Sequence, residues 1–259
     1  MGNTNGAQTH GNDPHASLRI SSTGAPLREA TGAVLLLHGR GRTAESILAL
    51  SKRLECPGVA YLAPQAGGRT WYPDSFLAPL EHNEPGLSSA LRALDHLFED
   101  LDEAGIPPER TVIVGFSQGA CLAAEFVGRR PRRYGGVAAL IGGFFGPEGT
   151  ALDYEGSLAG TPVVLCTSDP DPYVPPARVA ATAAIMDGMG ARVDLHIQPD
   201  RGHLITDEGV SGALELIRAL AEVRDHEPPF AASGIAATAP SRPRSRVADR
   251  PERTRPTVS

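Results

Sequence analysis

The sequence contains few cysteines that could cross-link the chain or hold a metal ion. It has three cysteines, and none of them forms a C-x-x-C pair or has the spacing of zinc ligands. This odd, scattered set is typical of a protein from a reducing compartment. No run approaches the ~18 consecutive apolar residues of a membrane span, and residues 1–15 lack the charged and apolar segments of a signal peptide. We therefore expect a cytoplasmic protein without a membrane span.

Several motifs that mark other functions are also missing. The sequence has no G-x-x-x-x-G-K-[ST] loop and no G-x-G-x-x-G fingerprint, so it offers no support for nucleotide binding. It has no H-E-x-x-H helix or comparable cluster, which argues against a metal-dependent hydrolase. No internal repeat is evident. We expect neither a cofactor nor a metal site.

Apolar runs recur along the middle of the chain in a strand-then-helix rhythm. The predicted strands are residues 33–38, 58–63, 111–115, 136–141, 162–167 and 192–197. Helical patterns lie between them, such as the leucine stripe from Leu87 to Leu101. Apolar strands joined by crossover helices imply a mostly parallel sheet covered on both faces. The sequence therefore predicts a single α/β domain.

The two ends of the chain differ in composition from the middle. We predict a disordered leader over residues 1–15, a folded domain over 16–224 and a disordered Arg/Pro-rich tail over 225–259. The last 19 residues, 241–259, hold six arginines, in a protein whose net charge is −6. Because these arginines are spaced among prolines and form no helix face, we interpret the tail as a solvated extension and expect no nucleic-acid partner.

The most informative segment is residues 111–120, T-V-I-V-G-F-S-Q-G-A. A β-branched apolar run leads directly into G-x-S-x-G, and the small residues after it can begin a helix. A serine on a sharp strand-to-helix turn exposes its hydroxyl above the sheet, and the flanking glycines leave room for the tight backbone. This context predicts that Ser117 is a nucleophile. The alternative is a glycine-flanked turn without a catalytic role.

A serine nucleophile needs a base and a group that orients the base. In a strand–turn–helix arrangement of this kind, the acid and then the histidine follow later in the chain. Asp169 and Asp171 both lie in a Pro-rich loop after the fifth predicted strand. The motif around Asp171 favours it, and we interpret Asp169 as a turn residue. Of the eight histidines, His203 alone lies in a loop after the acid-bearing strand.

An oxyanion hole requires two backbone N–H groups, one from the residue after the nucleophile and one from an earlier strand-to-helix loop. Gln118 has the first position. The second is expected in the loop H-G-R-G-R-T-A-E after the first predicted strand, whose glycines let the backbone approach a ligand, and we assign it to Arg40. A phosphate-binding loop is the competing interpretation. His38 is interpreted as structural, holding this loop through its ring nitrogens.

Aromatic residues in two loops are candidates for the substrate pocket. Trp71, Tyr72 and Phe76 follow the second predicted strand, and Phe144 and Phe145 follow the fourth. Both loops should reach the carboxyl edge of the sheet, where α/β proteins bind ligands. We predict that Trp71, Tyr72, Phe76 and Phe144 line the pocket, with packing of a lid as the alternative role.

Four motifs, L-H-G-R-G-R-T, G-F-S-Q-G, D-P-Y-V-P and G-H-L-I, together resemble the phospholipase/carboxylesterase family of small α/β-hydrolases, which includes the acyl-protein thioesterases. The resemblance covers about residues 33–221, with the motifs in the family's order. It implies the α/β-hydrolase fold. The triad and oxyanion hole that it implies are Ser117, Asp171 and His203, with the N–H groups of Arg40 and Gln118.

The resemblance also implies cleavage of esters or thioesters without a cofactor. The oxyanion loop has Arg40 where the acyl-protein thioesterases have an apolar residue, and the segment W-Y-P at 71–73 looks more like the bacterial carboxylesterases. We therefore expect a small-molecule ester of short to medium acyl chain as substrate. The alternatives are a thioesterase or lysophospholipase, an acyltransferase, and a non-catalytic small-molecule binding module. The sequence leaves both a monomer and a homodimer open.

Overall fold

The apolar runs of the sequence form the centre of a seven-stranded sheet in the computed structural model, which describes residues 13–222. The strand order is β1-β3-β2-β4-β5-β6-β7. Six strands run parallel, and β1 pairs antiparallel with β3 at one edge. The strands are β1 (Ile20–Gly24), β2 (Gly32–Leu37), β3 (Val59–Pro64), β4 (Thr111–Phe116), β5 (Gly136–Leu140), β6 (Pro162–Asp169) and β7 (Arg192–Pro199).

Five α-helices connect and cover these strands. They are α1 (Ala44–Leu48), α2 (Gly86–Glu103), α3 (Gln118–Arg129), α4 (Pro176–Gly188) and α5 (Asp207–Glu222). None of the helices in the described part of the chain is long and apolar enough to cross a membrane.

Alternation of side chains along the strands divides the core into two layers. Val34 and Leu36 of β2 point to the face covered by α1 and α5, whereas Leu35 and Leu37 point to the face covered by α2, α3 and α4. Both faces of the sheet are therefore buried, which is why the parallel strands read as continuous apolar runs. The α/β architecture with helices on both faces is confirmed.

The six predicted strands all exist, with bounds within two residues of the prediction, but β1 was not predicted. Its sequence, I-S-S-T-G, is short and mostly polar, and its side chains are largely exposed. The strand forms because its backbone pairs with β3, from Ile20 opposite Pro64 to Gly24 opposite Ala60. A strand held by backbone pairing at an edge carries little apolar periodicity, so the sequence pattern did not reveal it.

The start of the domain also requires a correction, because residues 13–15 were assigned to the disordered leader. His15 is buried, and its Nε2 donates a hydrogen bond to the Trp71 carbonyl at 3.0 Å. The other ring nitrogen accepts a hydrogen bond from the Gly67 N–H at 3.1 Å. The His15 N–H donates to the Ser89 hydroxyl at 2.9 Å. These residues therefore belong to the packed domain, while the rest of the predicted leader and residues 223–259 lie outside the described residues.

Candidate active site

Ser117 lies on the turn that joins β4 to α3, with φ 54° and ψ −117°. A positive φ is costly for a residue with a side chain, so the surrounding backbone must impose it. A Cβ on Gly115 would lie 2.7 Å from Cα of Ala120, and a Cβ on Gly119 would collide with the Leu37 carbonyl. Only glycine fits at both positions. The two glycines of G-F-S-Q-G thus allow β4, α3 and β2 to pack closely around a sharply turned serine.

Three polar side chains from separate loops form one line of hydrogen bonds. Nε2 of His203 lies 2.8 Å from Oγ of Ser117. On the other side of the ring, Nδ1 lies 2.9 Å from Oδ2 of Asp171 and 3.2 Å from Oδ1. A carboxylate can only accept, so Nδ1 carries the proton and Nε2 is free to accept from the serine hydroxyl. The structure therefore brings together the three residues that the sequence selected.

The loop after β6 presents Asp171 to the histidine and holds it there. Oδ1 of Asp171 accepts hydrogen bonds from the N–H groups of Tyr173 at 2.9 Å and Val174 at 2.8 Å. Its side chain is 0% exposed, whereas Asp169 is exposed and forms the end of β6. Of the two aspartates, only Asp171 reaches the imidazole of His203.

Aromatic rings fix the plane of the His203 ring. The ring of Phe116 lies 5.3 Å from it at a tilted angle, and Tyr173 meets it edge-on at 5.0 Å. The imidazole side chain remains 18% exposed, so one side of it stays open to a ligand. Both rings therefore pack against the imidazole that bonds to Ser117 and Asp171.

The loop after β2 approaches the serine closely. A Cβ on Gly39 would lie 3.3 Å from Cβ of Ser117, so a side chain there would crowd the nucleophile. Among the residues that the structure describes, the backbone N–H groups of Arg40 and Gln118 donate to no protein acceptor. Gln118 is the first residue of α3, where the N–H has no acceptor within the helix. Both residues border the same cavity as Ser117.

His38 is buried behind this loop and supports it. Its Nδ1 donates to the Gly39 carbonyl at 2.8 Å, and its Nε2 accepts from the Ala66 N–H at 3.1 Å. Burial lowers the pKa of the His38 imidazole below its usual value, which keeps the ring neutral. The Trp71 indole N–H donates to the His38 carbonyl at 2.9 Å. His38 therefore holds the loop, in agreement with its predicted structural role.

The side chains of Arg40 and Gln118, the two predicted oxyanion residues, form hydrogen bonds with segment 70–74. The Arg40 guanidinium donates to the Pro73 carbonyl at 2.7 Å and to the Asp74 carbonyl at 2.5 Å. The Gln118 amide accepts from the Trp71 N–H at 2.8 Å and donates to the Tyr72 carbonyl at 2.7 Å. The sequence indicated a role only for the backbone of these two residues. Their side-chain contacts could not be predicted, because no local pattern reveals a contact between distant loops.

The cavity above Ser117 has a volume of about 860 Å³. Tyr72 and Phe76 line it, and their role in binding a substrate stays a prediction. Its mouth includes Tyr173 and Leu204, which are 67% and 66% exposed and were not predicted as pocket residues. Their apolar surfaces flank His203, and exposed apolar groups in a cavity are a common sign of ligand binding.

Trp71 and Phe144 do not line this cavity, so the expectation that they do is corrected. Trp71 is fully buried, and its ring lies 5.1 Å from the His38 ring and 5.5 Å from the His15 ring. Phe144 is also fully buried and stacks on Tyr154 at 4.1 Å. Both loops reach the expected edge of the sheet, but these two rings turn inward and pack the core.

Cys121 also borders the cavity, one turn of α3 beyond the serine. Burial raises the pKa of its thiol to about 12. A thiol that stays protonated is a poor nucleophile, so Cys121 serves as a small packing residue. Within residues 13–222, no group of three or more His, Cys, Asp or Glu side chains is arranged to hold a metal ion.

Comparison with known proteins identifies the family of this chain. The family model described as Phospholipase/Carboxylesterase matches residues 18–221. The chain belongs to the phospholipase/carboxylesterase family. The solved structure of a phospholipase/carboxylesterase from Dyadobacter fermentans is 40% identical and superposes with a TM-score of 0.74. The aligned region covers 78% of this chain and 97% of the Dyadobacter chain. The esterase PE8 structure is 28% identical over 78% of this chain and 99% of its own, with a TM-score of 0.66.

Two proteins named acyl-protein thioesterase 1 are also similar. Acyl-protein thioesterase 1 of Cryptococcus neoformans is 28% identical over 133 residues, which are 45% of this chain and 56% of that protein. Acyl-protein thioesterase 1 of Kluyveromyces lactis is 27% identical over 186 residues, which are 62% of this chain and 78% of that protein. The chain thus spans just over half the length of the Cryptococcus relative. Family membership confirms the predicted α/β-hydrolase fold in a single domain.

Proposed function

We propose that the protein is a serine hydrolase that cleaves carboxylic esters of short to medium acyl chain. The observation that carries the proposal is the continuous line of hydrogen bonds from Ser117 through His203 to Asp171, at 2.8 Å and 2.9 Å. A nucleophile, a base and a group that orients the base are the parts that acyl transfer to serine requires.

In the proposed first step, Oγ of Ser117 attacks the carbonyl carbon of the ester while Nε2 of His203 takes the hydroxyl proton. Asp171 stabilises the imidazolium and holds its tautomer. The negative oxygen of the tetrahedral intermediate lies between the N–H groups of Arg40 and Gln118, each contributing about 3–4 kcal/mol in comparable sites. Collapse of the intermediate breaks the ester C–O bond, and His203 returns the proton to the leaving alcohol.

The second step reverses these roles with water as the nucleophile. His203 takes a proton from water, the hydroxide attacks the acyl carbon, and Ser117 leaves with the proton returned by the imidazolium. The products are the carboxylic acid and the free serine. The reaction needs no cofactor, because each proton moves between the substrate, water and the three side chains.

The shape of the cavity supports a substrate with an apolar part. About 860 Å³ is enough for an ester of moderate size. Tyr72 and Phe76 supply apolar surface inside the cavity, and Tyr173 and Leu204 extend that surface at its mouth. A short or medium acyl chain would cover the exposed side chains of Tyr173 and Leu204 and gain the free energy of their burial.

Thioester cleavage is the second candidate activity. It is favoured by the similarity to two proteins named acyl-protein thioesterase 1. The same serine, base and oxyanion donors would release a thiol instead of an alcohol. A lysophospholipid would be a further acyl ester for the same residues.

The test is hydrolysis of p-nitrophenyl esters from acetyl to palmitoyl by the wild type and Ser117→Ala, with circular dichroism to confirm that both fold. We expect activity on the shorter esters that disappears in the variant. Turnover by Ser117→Ala near the wild-type rate would contradict the assignment of the nucleophile. A folded wild type that binds esters without hydrolysing them, or that cleaves only acyl thioesters, would favour the binding module or the thioesterase instead.

A further inference from the structure

The hydroxyl of Thr70 contacts the side chains of both residues whose N–H groups form the proposed oxyanion hole. Its Oγ accepts a hydrogen bond from Nη1 of Arg40 at 3.3 Å and from Nε2 of Gln118 at 3.0 Å. It donates its own proton to the Tyr72 carbonyl at 2.9 Å. The Thr70 hydroxyl thus fills its one donor position and both of its acceptor positions. Its partners are Arg40, Gln118 and the Tyr72 carbonyl.

The two contacts join parts of the molecule that the chain keeps far apart. Thr70 is 30 positions from Arg40 and 48 positions from Gln118. Strands β2 and β4 pair up to Leu37 and Gly115, and Arg40 and Gln118 lie in the loop and helix beyond that pairing, so the side-chain contacts add to what the sheet itself holds in place. The Arg40 guanidinium also lies 5.7 Å from the centre of the Tyr72 ring, which adds to its attachment to this segment.

We propose that Thr70 is a positioning residue of the oxyanion hole. The proposal rests on the proposed function and adds to it a residue that acts without touching the substrate, since Thr70 does not border the cavity. By holding Arg40 and Gln118 through their side chains, Thr70 sets the separation of their backbone N–H groups. Donors aimed at the developing negative oxygen must be placed before the reaction, because a donor that has to move contributes less to the transition state.

The test compares Thr70→Val, which keeps the shape of the side chain and removes its hydroxyl, with Thr70→Ser, which restores the hydroxyl. We expect Thr70→Val to lower kcat about tenfold with KM unchanged, because the lost interaction acts only in the transition state. Its affinity for an alkyl boronic acid, whose tetrahedral adduct with serine places an oxygen in the hole, should fall by a similar factor. Thr70→Ser should recover both values to within about threefold of wild type.

Thr182→Val is the matched control for loss of a buried threonine hydroxyl. Oγ of Thr182 accepts from the Phe144 N–H at 3.0 Å and donates to the Arg178 carbonyl at 2.8 Å, away from the cavity. This variant should lose thermal stability and keep the wild-type kcat and boronate affinity. If Thr70→Val had the kcat and boronate affinity of the wild type, the proposed role of Thr70 would be wrong. The proposed function would stand in that case. A wild type without hydrolysis or boronate binding would overturn the proposed function, and the role of Thr70 with it.

Discussion

The Oγ atom of Ser117 lies 2.8 Å from Nε2 of His203, although 86 positions separate the two residues in the chain. Ser117 follows β4, and His203 follows β7, which is three strands away in the sheet. Both loops leave the sheet at its carboxyl edge, and the loop after β7 returns over that edge to reach the serine. The line continues to Asp171 after β6. A parallel sheet thus gathers residues that are distant in sequence at one edge.

The hydrogen bond between Asp171 and His203 predicts a large difference between two aspartate variants. Asp171→Asn should lower kcat at least about 10³-fold, because an amide can favour the wrong tautomer of the histidine and offers no charge to the imidazolium. Asp169→Asn is the matched control, since Asp169 is exposed and lies two residues away. It should stay within about twofold of wild type. Ester hydrolysis under saturating substrate measures both, and a larger loss in Asp169→Asn would reverse the assignment.

The exposed side chain of Leu204 predicts an effect that depends on acyl chain length. Leu204→Ala should raise KM for an octanoyl ester about three- to tenfold, which corresponds to about 0.7–1.4 kcal/mol of apolar contact, and leave KM for an acetyl ester unchanged. Leu80→Ala is the control, because Leu80 is also exposed, at 39%, but does not border the cavity. If both variants gave the same KM values, Leu204 would have no contact with the substrate.

Close packing around Gly119 predicts that a single methyl group there destabilises the fold. A Cβ would lie 2.6 Å from the carbonyl carbon of Leu37 and 2.8 Å from the His38 oxygen, both in backbone that cannot move aside. Gly119→Ala should lower the free energy of unfolding by about 2–3 kcal/mol in a urea titration. Gly188→Ala is the control, since a Cβ there meets nothing within 4 Å at the end of α4. It should be neutral or stabilising by up to about 1 kcal/mol.

Two buried histidines predict that acid weakens the fold. Burial lowers the pKa of His15 and His38 below the usual value of 6.5. Below pH 6.5 the unfolded chain therefore binds protons that the folded protein does not, so the free energy of unfolding falls as the pH is lowered through that range. The hydrogen bond from Arg92 lowers the pKa of Asp13 from its ordinary value of 3.8 to about 2. The stability that this carboxylate contributes is therefore lost only below pH 3.8, outside the range of the histidines.

Urea unfolding between about pH 7.5 and pH 5.5 measures this dependence. His15→Asn should show a smaller loss of stability across the range than wild type, because one of the two buried imidazoles is gone. An unchanged pH dependence in His15→Asn would show that this histidine does not contribute to it.

The elements that sequence analysis predicted are those whose pattern is repeated over several residues. The strands β2 and β4 are continuous apolar runs because both of their faces are buried, and α2 has a leucine stripe because one face packs against the sheet. The edge strand β1 has neither signal, and only its backbone pairing with β3 defines it. Likewise, burial of His15 depends on Gly67, Trp71 and Ser89, which no pattern near residue 15 could indicate.

The residues of the candidate site also differ in whether the sequence could indicate them. Ser117, Asp171 and His203 could be selected from sequence because each lies in a short motif directly after a predicted strand, and strand ends meet at one edge of a parallel sheet. No such local pattern predicts the direction in which a loop side chain points. Trp71 and Phe144 turn into the core, whereas Tyr173 and Leu204 remain exposed at the cavity.

The amino-acid sequence by itself indicated the α/β class, the order of the six parallel strands and the serine, aspartate and histidine of the candidate site, because apolar periodicity and turn chemistry are local properties. Tertiary structure alone decided which aromatic rings face the cavity and which pack the core. It also decided that Thr70 lies between Arg40 and Gln118. Such contacts depend on how distant segments pack against one another, and packing depends on the whole chain at once.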